Sequence, residues 1–147
     1  MTVTEIEIVL VEDNPNDAEL ITRALKKHNL ANKITLLKDG AEALDFLLGQ
    51  NGSGGKDLAV NPRVVLLDLK LPKVNGIEVL QRLKSDKRTK DVPVVVLTSS
   101  KEDRDVKDAY ALGVNSYVTK PIRFDEFAKT VAELGMYWLM LNKPPVR

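Results

Sequence analysis

Val64-Val65-Leu66-Leu67 is an apolar run too short for a helix, half of it β-branched, ending on Asp68 before Leu69-Lys70-Leu71-Pro72 closes the segment. A short run that is apolar at every position, rather than at every second one, predicts a strand buried on both faces, as in the centre of a parallel sheet. The acid then falls at the strand's carboxyl end, where open α/β sheets place their ligands. Such a strand requires helices above and below it, and it makes Asp68 the first candidate for reactive chemistry. A lone acid there could equally do no more than cap the next turn, so its role depends on what the rest of the chain brings beside it.

The chain before it supplies two further strands. Ile6 to Val11 is apolar apart from Glu7 and runs directly into Glu12-Asp13. Asn14 offers a capping oxygen and Pro15 gives up an N–H that has no partner in the first helical turn, so a helix starts here and runs to about His28. Lys33 to Leu37 predicts a short second strand. Asp39 and Glu42 form a capping-box pattern that opens a helix through Ala43, Leu44, Leu47 and Leu48. Gly49 to Pro62 is rich in glycine and polar residues and predicts a mobile surface loop; its glycines have neither the spacing of a dinucleotide fingerprint nor a Gly-Lys-Ser/Thr ending.

Beyond the central strand, Asn75 and Glu78 mark another helix start, with Ile77, Leu80 and Leu83 facing inward. Pro93 to Leu97 predicts a fourth strand ending in Thr98-Ser99-Ser100, and Ser100 with Asp103 is expected to cap the helix that follows and stops at Gly113. Val114 to Thr119 predicts a fifth strand, containing Tyr117 and ending at Lys120-Pro121. The last helix is expected from Phe124 to about Leu141, with Phe124, Phe127, Ala128, Val131, Leu134, Trp138 and Leu141 on its apolar stripe. With 147 residues, 44% of them hydrophobic and 29% charged, the chain suits one compact domain. We expect a single domain over residues 1–147, with a core at about 5–141, the mobile loop at 49–62 and a short tail at 142–147.

Several function classes are excluded or disfavoured. Lysine plus arginine number 22 against 21 for aspartate plus glutamate, so the net charge of +1 gives no general attraction to nucleic acid or membrane. The basic cluster Lys84 to Lys90 lacks aromatics and reads as a solvated helix end. The absence of cysteine excludes disulfides, thiolate metal sites and cysteine nucleophiles. No apolar run spans a bilayer and Met1 to Glu7 is no signal peptide, so a cytoplasmic location is expected. The lone histidine, His28, is expected at the surface.

Five strand-helix pairs imply an α/β fold with a parallel sheet, right-handed crossovers and helices on both faces. Glu12-Asp13, Asp68, Thr98 and Lys120 then emerge at one edge of that sheet, although they are scattered along the sequence. Crowded carboxylates call for a hard cation, and Mg²⁺, which keeps waters and takes a few carboxylate oxygens, would be satisfied by Asp13 and Asp68, with Glu12 holding a metal-bound water. Asp68 could then attack phosphorus, with the Lys120 ammonium offsetting charge and the Thr98 hydroxyl donating to a phosphoryl oxygen.

The set Glu12-Asp13, Leu-Leu-Asp68-Leu-Lys-Leu-Pro72, Asn75-Gly76, Thr98 and Lys120-Pro121 resembles the response-regulator receiver domain of bacterial two-component systems. The resemblance covers nearly the whole chain and implies a flavodoxin-like doubly wound sheet of strand order 2-1-3-4-5. It further implies that Asp68 is the phosphoacceptor for a sensor histidine kinase, that the Lys70 backbone carbonyl completes the metal site, and that the Lys120-Pro121 bond is cis. Thr98 and Tyr117 become the switch pair that remodels the surface around the fourth helix and fifth strand. The loop at 49–62 and Tyr137-Trp138 are also similar to receivers that pair with phytochrome-type kinases. Output would pass through a downstream protein target, with no direct nucleic-acid or membrane contact. The band Met136 to Leu141 is too continuous for one buried stripe and predicts a homodimer through the last helix and its neighbours.

Other classes fit less well. A haloacid-dehalogenase-type phosphatase would place a second aspartate where Lys70 stands, so turnover on an external substrate is not expected. A flavin module would need a phosphate loop after the first strand, where Glu12-Asp13 would repel the phosphate. A receiver reduced to a scaffold would normally have lost a site residue, and none is missing.

Overall fold

A computed structural model describes residues 8–28, 30, 33–49, 62–121 and 123–143. Most of the expected loop, residues 50–61, and the ends of the chain lie outside these. Five parallel strands, β1 (Ile8–Val11), β2 (Ile34–Leu37), β3 (Val64–Leu67), β4 (Val94–Thr98) and β5 (Ser116–Thr119), form one sheet in the order β2-β1-β3-β4-β5. Helices α1 (Pro15–Lys27), α2 (Gly40–Leu48), α3 (Gly76–Ser85), α4 (Asp103–Ala111) and α5 (Phe124–Gly135) flank it, and a π-helical turn, Met136–Leu141, continues α5. This is the flavodoxin-like doubly wound fold.

The central strands explain the two helical layers. Side chains alternate across a strand, so Val9, Val11, Val65, Leu67, Val94 and Val96 point to one face and pack with Ala43, Leu44 and Leu47 of α2, Val79, Leu80 and Leu83 of α3, and Ala109 of α4. Ile8, Leu10, Val64, Leu66, Val95 and Leu97 point to the other, against Ala18, Ile21 and Leu25 of α1 and Phe127 and Val131 of α5. Both faces of β1, β3 and β4 are therefore sealed from water, which is the reason these strands stay apolar up to the site edge.

The caps largely follow the sequence. Asn14 Oδ1 accepts from the N–H groups of Asn16 (2.9 Å) and Asp17 (3.1 Å), Asp39 Oδ1 from Glu42 N (2.8 Å) and Asn75 Oδ1 from Glu78 N (3.0 Å). The start of α4 differs. Its N-cap is Glu102, with no side-chain cap; the Ser100 hydroxyl donates to the Asp105 carboxylate, and its oxygen accepts from Glu102 N at 3.4 Å, before the first turn of the helix. The α4 helix stops before Gly113, whose φ of 96° is a conformation glycine adopts freely.

The last helix departs most from the periodic expectation. Phe124, the first residue of α5, is 71% exposed, so it stands off the apolar stripe. The α-helical pattern ends at Gly135, where an added Cβ would lie 2.6 Å from Leu25 Cδ2 and 2.8 Å from Leu30 Cδ1, so α5 crosses α1 and the Leu30 segment at close range. Beyond it the backbone widens into the π-turn, which buries Trp138 and Leu139 while Met136, Tyr137, Met140 and Leu141 face solvent. His28, the C-cap of α1, is exposed as expected.

Candidate functional site

Ladder hydrogen bonds carry the backbone past the formal strand ends and set the site residues side by side. Val11 pairs with Leu67 in the register, and one step further Asp68 N donates to Val11 O at 3.1 Å, while Glu12 N donates to Leu37 O at 3.0 Å. Thr98 pairs with Thr119, and Lys120 N donates to Thr98 O at 2.7 Å. The sheet thus brings Glu12, Asp13, Asp68, Thr98 and Lys120 to one edge. Gly76 keeps that edge tight: a Cβ there would lie 2.3 Å from the carbonyl oxygen of Asp68 and 2.5 Å from Leu69 Cα, so α3 can start this close to the acid only with glycine.

Lys120 is the hub. Its Nζ donates to Glu12 Oε1 at 2.6 Å, Asp17 Oδ2 at 2.9 Å and Asp68 Oδ2 at 2.9 Å, engaging all three ammonium protons. Asp68 Oδ1 accepts from Lys70 N at 3.2 Å. Burial alone would raise the Asp68 pKa, but the Lys120 ammonium, the Thr98 hydroxyl and the Lys70 N–H hold it below the usual carboxylate range. Glu12 is buried and one bond poorer, with Oε2 accepting from Asn14 N at 3.2 Å. Burial, reinforced by the Asp68 charge, pushes Glu12 up to about 7 against the pull of Lys120. Burial works against the Lys120 charge too, yet its carboxylate partners keep it protonated well above the ordinary lysine range.

One expectation changes here, and one residue joins the site unannounced. Every described peptide bond is trans, including Lys120-Pro121. Trans is the favoured state even before proline, and the lysine reaches Asp68 from the end of β5 without the cis form. Asp17, in the first turn of α1, belongs to the site although nothing in its sequence context set it apart, because an acid in a first helical turn has an ordinary role toward the helix dipole.

Oxygen atoms of Glu12, Asp13 and Asp68, one from each, all lie within 4.8 Å of one another, the one such acid or histidine set among the described residues. An all-carboxylate donor set with Asp13 exposed to water suits a hard, partly hydrated divalent cation of the Mg²⁺ or Mn²⁺ kind and offers nothing to a thiolate-seeking one. Beside this set Thr98 is fully buried at the end of β4. Tyr117 is half-buried on β5, with its hydroxyl donating to Ser100 O at 3.0 Å, so the ring lies across the start of the β4–α4 loop; burial raises its pKa.

A doubly wound sheet with three acids, a buried hydroxyl and a lysine on one edge defines a receiver-type signalling module. Residues 8–132 match the family model of the response regulator receiver domain, and the chain belongs to that family, the receivers of two-component systems. It is 48% identical over 138 residues to a probable methanogenesis regulatory protein, FilR2, of Methanothrix harundinacea, covering 94% of this chain and 86% of that one. It is 39% identical to response regulator Rcp1 of Synechocystis, covering 90% of this chain and 88% of that one. Among solved structures, the Mn²⁺-bound form of Rcp1 superposes with a TM-score of 0.85 at 36% identity, covering 96% of this chain and 99% of that one. The phosphorylated cyanobacterial phytochrome response regulator RcpA gives 0.86 at 35% identity, covering 97% and 100%. No helix among the described residues is long and apolar enough to cross a membrane.

Proposed function

We propose that this protein is a response regulator whose Asp68 accepts a phosphoryl group from a sensor histidine kinase, with Mg²⁺, and whose phosphorylated form presents an altered protein-binding surface. The observation that carries the proposal is the hydrogen-bonded grouping of Asp68, Lys120 and Thr98 beside the carboxylates of Glu12 and Asp13. Asp68 is ionised and its Oδ2 already faces the ammonium, so it is poised as an oxygen nucleophile. Its oxygen forms a bond to phosphorus, the bond from phosphorus to the donor atom breaks, and the donor leaves with the electron pair. Lys120 offsets the charge of the transferred group, and the Thr98 hydroxyl donates to one of its oxygens. Glu12, Asp13 and Asp68, with the Lys70 carbonyl, would hold the cation, which supplies further positive charge beside the phosphoryl oxygens. The group is stored rather than turned over: the position that would carry a second catalytic acid is Lys70. Residues 1–147 are proposed to act as one receiver unit.

The kinship with RcpA, a phytochrome response regulator, supports a phytochrome-type kinase as donor. The switch is proposed to run through Thr98 and Tyr117 to α4, whose only buried helical residue is Ala109 and which is therefore easily displaced. Incubation with Mg²⁺ and acetyl phosphate, read by intact mass, is expected to add one phosphoryl group to the wild type and none to Asp68→Asn. An unchanged wild-type mass would leave the scaffold reading in its place.

We further propose a homodimer through the last helix and its neighbours, supported by Met136, Tyr137, Met140 and Leu141, which are 48–70% exposed and close together in the chain. Sedimentation velocity at high micromolar concentration should show the dimer; monomer alone, with and without acetyl phosphate, would refute it.

A further inference from the structure

Lys120 has three carboxylate partners, and they are not equivalent. Glu12 and Asp68 belong to the oxygen cluster suited to a cation, and Asp68 is also the proposed site of the phosphoryl group. Both would therefore be claimed by other groups during the reaction, Glu12 by the cation and Asp68 by the phosphoryl group. Asp17 stands outside that cluster, yet its Oδ2 lies as close to Nζ, at 2.9 Å, as the Asp68 oxygen does. Its backbone is fixed as well: Asp17 N donates to Asn14 Oδ1 at 3.1 Å, within the cap that starts α1 directly after Glu12-Asp13. The lysine side chain is 8% exposed and the aspartate 30%, so the pair bridges the buried site and its rim.

We infer that Asp17 is a positioning residue for phosphoryl transfer, the one fixed anion that holds the Lys120 ammonium in line when Glu12 turns to the cation and Asp68 becomes an acyl phosphate. This rests on the proposed phosphoacceptor role of Asp68. On transfer from acetyl phosphate, a bond forms from Asp68 Oδ to phosphorus, the bond from phosphorus to the acetate oxygen breaks, and acetate leaves with the electron pair; no proton moves. Lys120 exchanges its bond to Asp68 Oδ2 for one to a phosphoryl oxygen and keeps its bond to Asp17. Without Asp17 the ammonium has no partner that stays the same through the step, and its long side chain is free to swing. Its charge is then less well placed in the transition state, while the oxygens that would hold the cation are unaltered.

The test is the rate of phosphorylation by acetyl phosphate with saturating Mg²⁺, followed by intact mass, for wild type, Asp17→Asn, Lys120→Ala and the double variant. Asp17→Asn is expected to be slowed about ten-fold at saturating donor, with little change in the acetyl phosphate concentration giving half the maximal rate. On the Lys120→Ala background the same substitution should change the rate less than about two-fold, because the residue it positions is gone. Asp17→Glu should recover part of the loss. Thermal midpoints and Mg²⁺ titrations of Asp17→Asn should stay near wild type. A wild-type rate for Asp17→Asn, or an equal loss on both backgrounds, would overturn the inference. A wild type that gains no phosphoryl group would instead refute the role of Asp68.

Discussion

Replacing Lys120 with methionine is expected to destabilise the protein by about 3 kcal/mol near neutral pH without divalent cation, and to slow phosphorylation by acetyl phosphate on the order of 100-fold. Among the described residues the ammonium is the only cation bonded to Glu12, Asp17 and Asp68, and the side chains of Glu12 and Asp68 are 1% and 8% exposed. Methionine fills much of the space of the aliphatic stem, so the loss comes from charge rather than from a cavity. Removing one member of a buried ion pair typically costs about 3–5 kcal/mol. The lower end applies because Asp17 is rehydrated at the rim and Glu12 can take up a proton. Such a loss is a large part of the roughly 5–15 kcal/mol that holds a typical domain together. Urea denaturation in EDTA and in millimolar Mg²⁺ measures the effect. Mg²⁺ should stabilise Lys120→Met more than wild type, since the cation then supplies the missing positive charge. Equal stability of the two proteins in EDTA would show that the carboxylates do not depend on the lysine.

The same hub shows what a sequence can reveal. Glu12, Asp13, Asp68, Thr98 and Lys120 were legible because each ends or follows a strand, and parallel strands deliver all their carboxyl ends to one edge. Asp17 follows no strand. It reaches Lys120 only because α1 starts directly after β1 and packs beside α5, a three-dimensional relation that spacing along the chain does not express. Ser100 illustrates the reverse error. A serine three residues before Asp103 has the spacing of a cap, but its oxygen accepts from Glu102 N, ahead of the helix, while its hydroxyl donates to the Asp105 carboxylate in the first turn of α4.

The fold was legible to a similar depth. Apolar runs, broken only by Glu7 ahead of β1, identified β1, β3 and β4, because burial on both faces leaves no room for a polar side chain short of the site edge. β5 is half-buried throughout and β2 nearly so, and their ends were correspondingly blurred: Val114 and Asn115 lie before β5, and β2 begins at Ile34. Periodicity failed at both ends of the last helix. Phe124 has the spacing of the stripe but is exposed, and Phe127 is the α5 aromatic that packs into the core. Beyond Gly135 the 3.6-residue period no longer applies, so Trp138 and Leu139, adjacent in sequence, are buried together and Leu141 is not.

Glu12 makes the site sensitive to pH in a direction opposite to that of an ordinary paired carboxylate. Its pKa rises from 4.5, the value of a freely exposed glutamate, to about 7 in the fold. Between these values the native protein binds more protons than the unfolded chain, so the contribution of Glu12 to stability falls as pH rises through that window and levels off above about 7. Asp68, whose pKa is lowered, has the opposite sign and withdraws its contribution only in more acid solution. In EDTA, unfolding free energy should therefore decline from about pH 5 to about pH 7 in the wild type, and Glu12→Gln should reduce that slope and be the more stable protein at about pH 7.5. Cation binding reverses the ranking. The cluster of Glu12, Asp13 and Asp68 holds a cation best when Glu12 is ionised, so Mg²⁺ binding should release close to one proton near pH 6. Apparent affinity should then fall up to about ten-fold per pH unit below about 7 in the wild type and much less in Glu12→Gln. Isothermal titration in buffers of different ionisation enthalpy measures the released proton directly, and a release near zero at about pH 6 would remove Glu12 from the cation's surroundings.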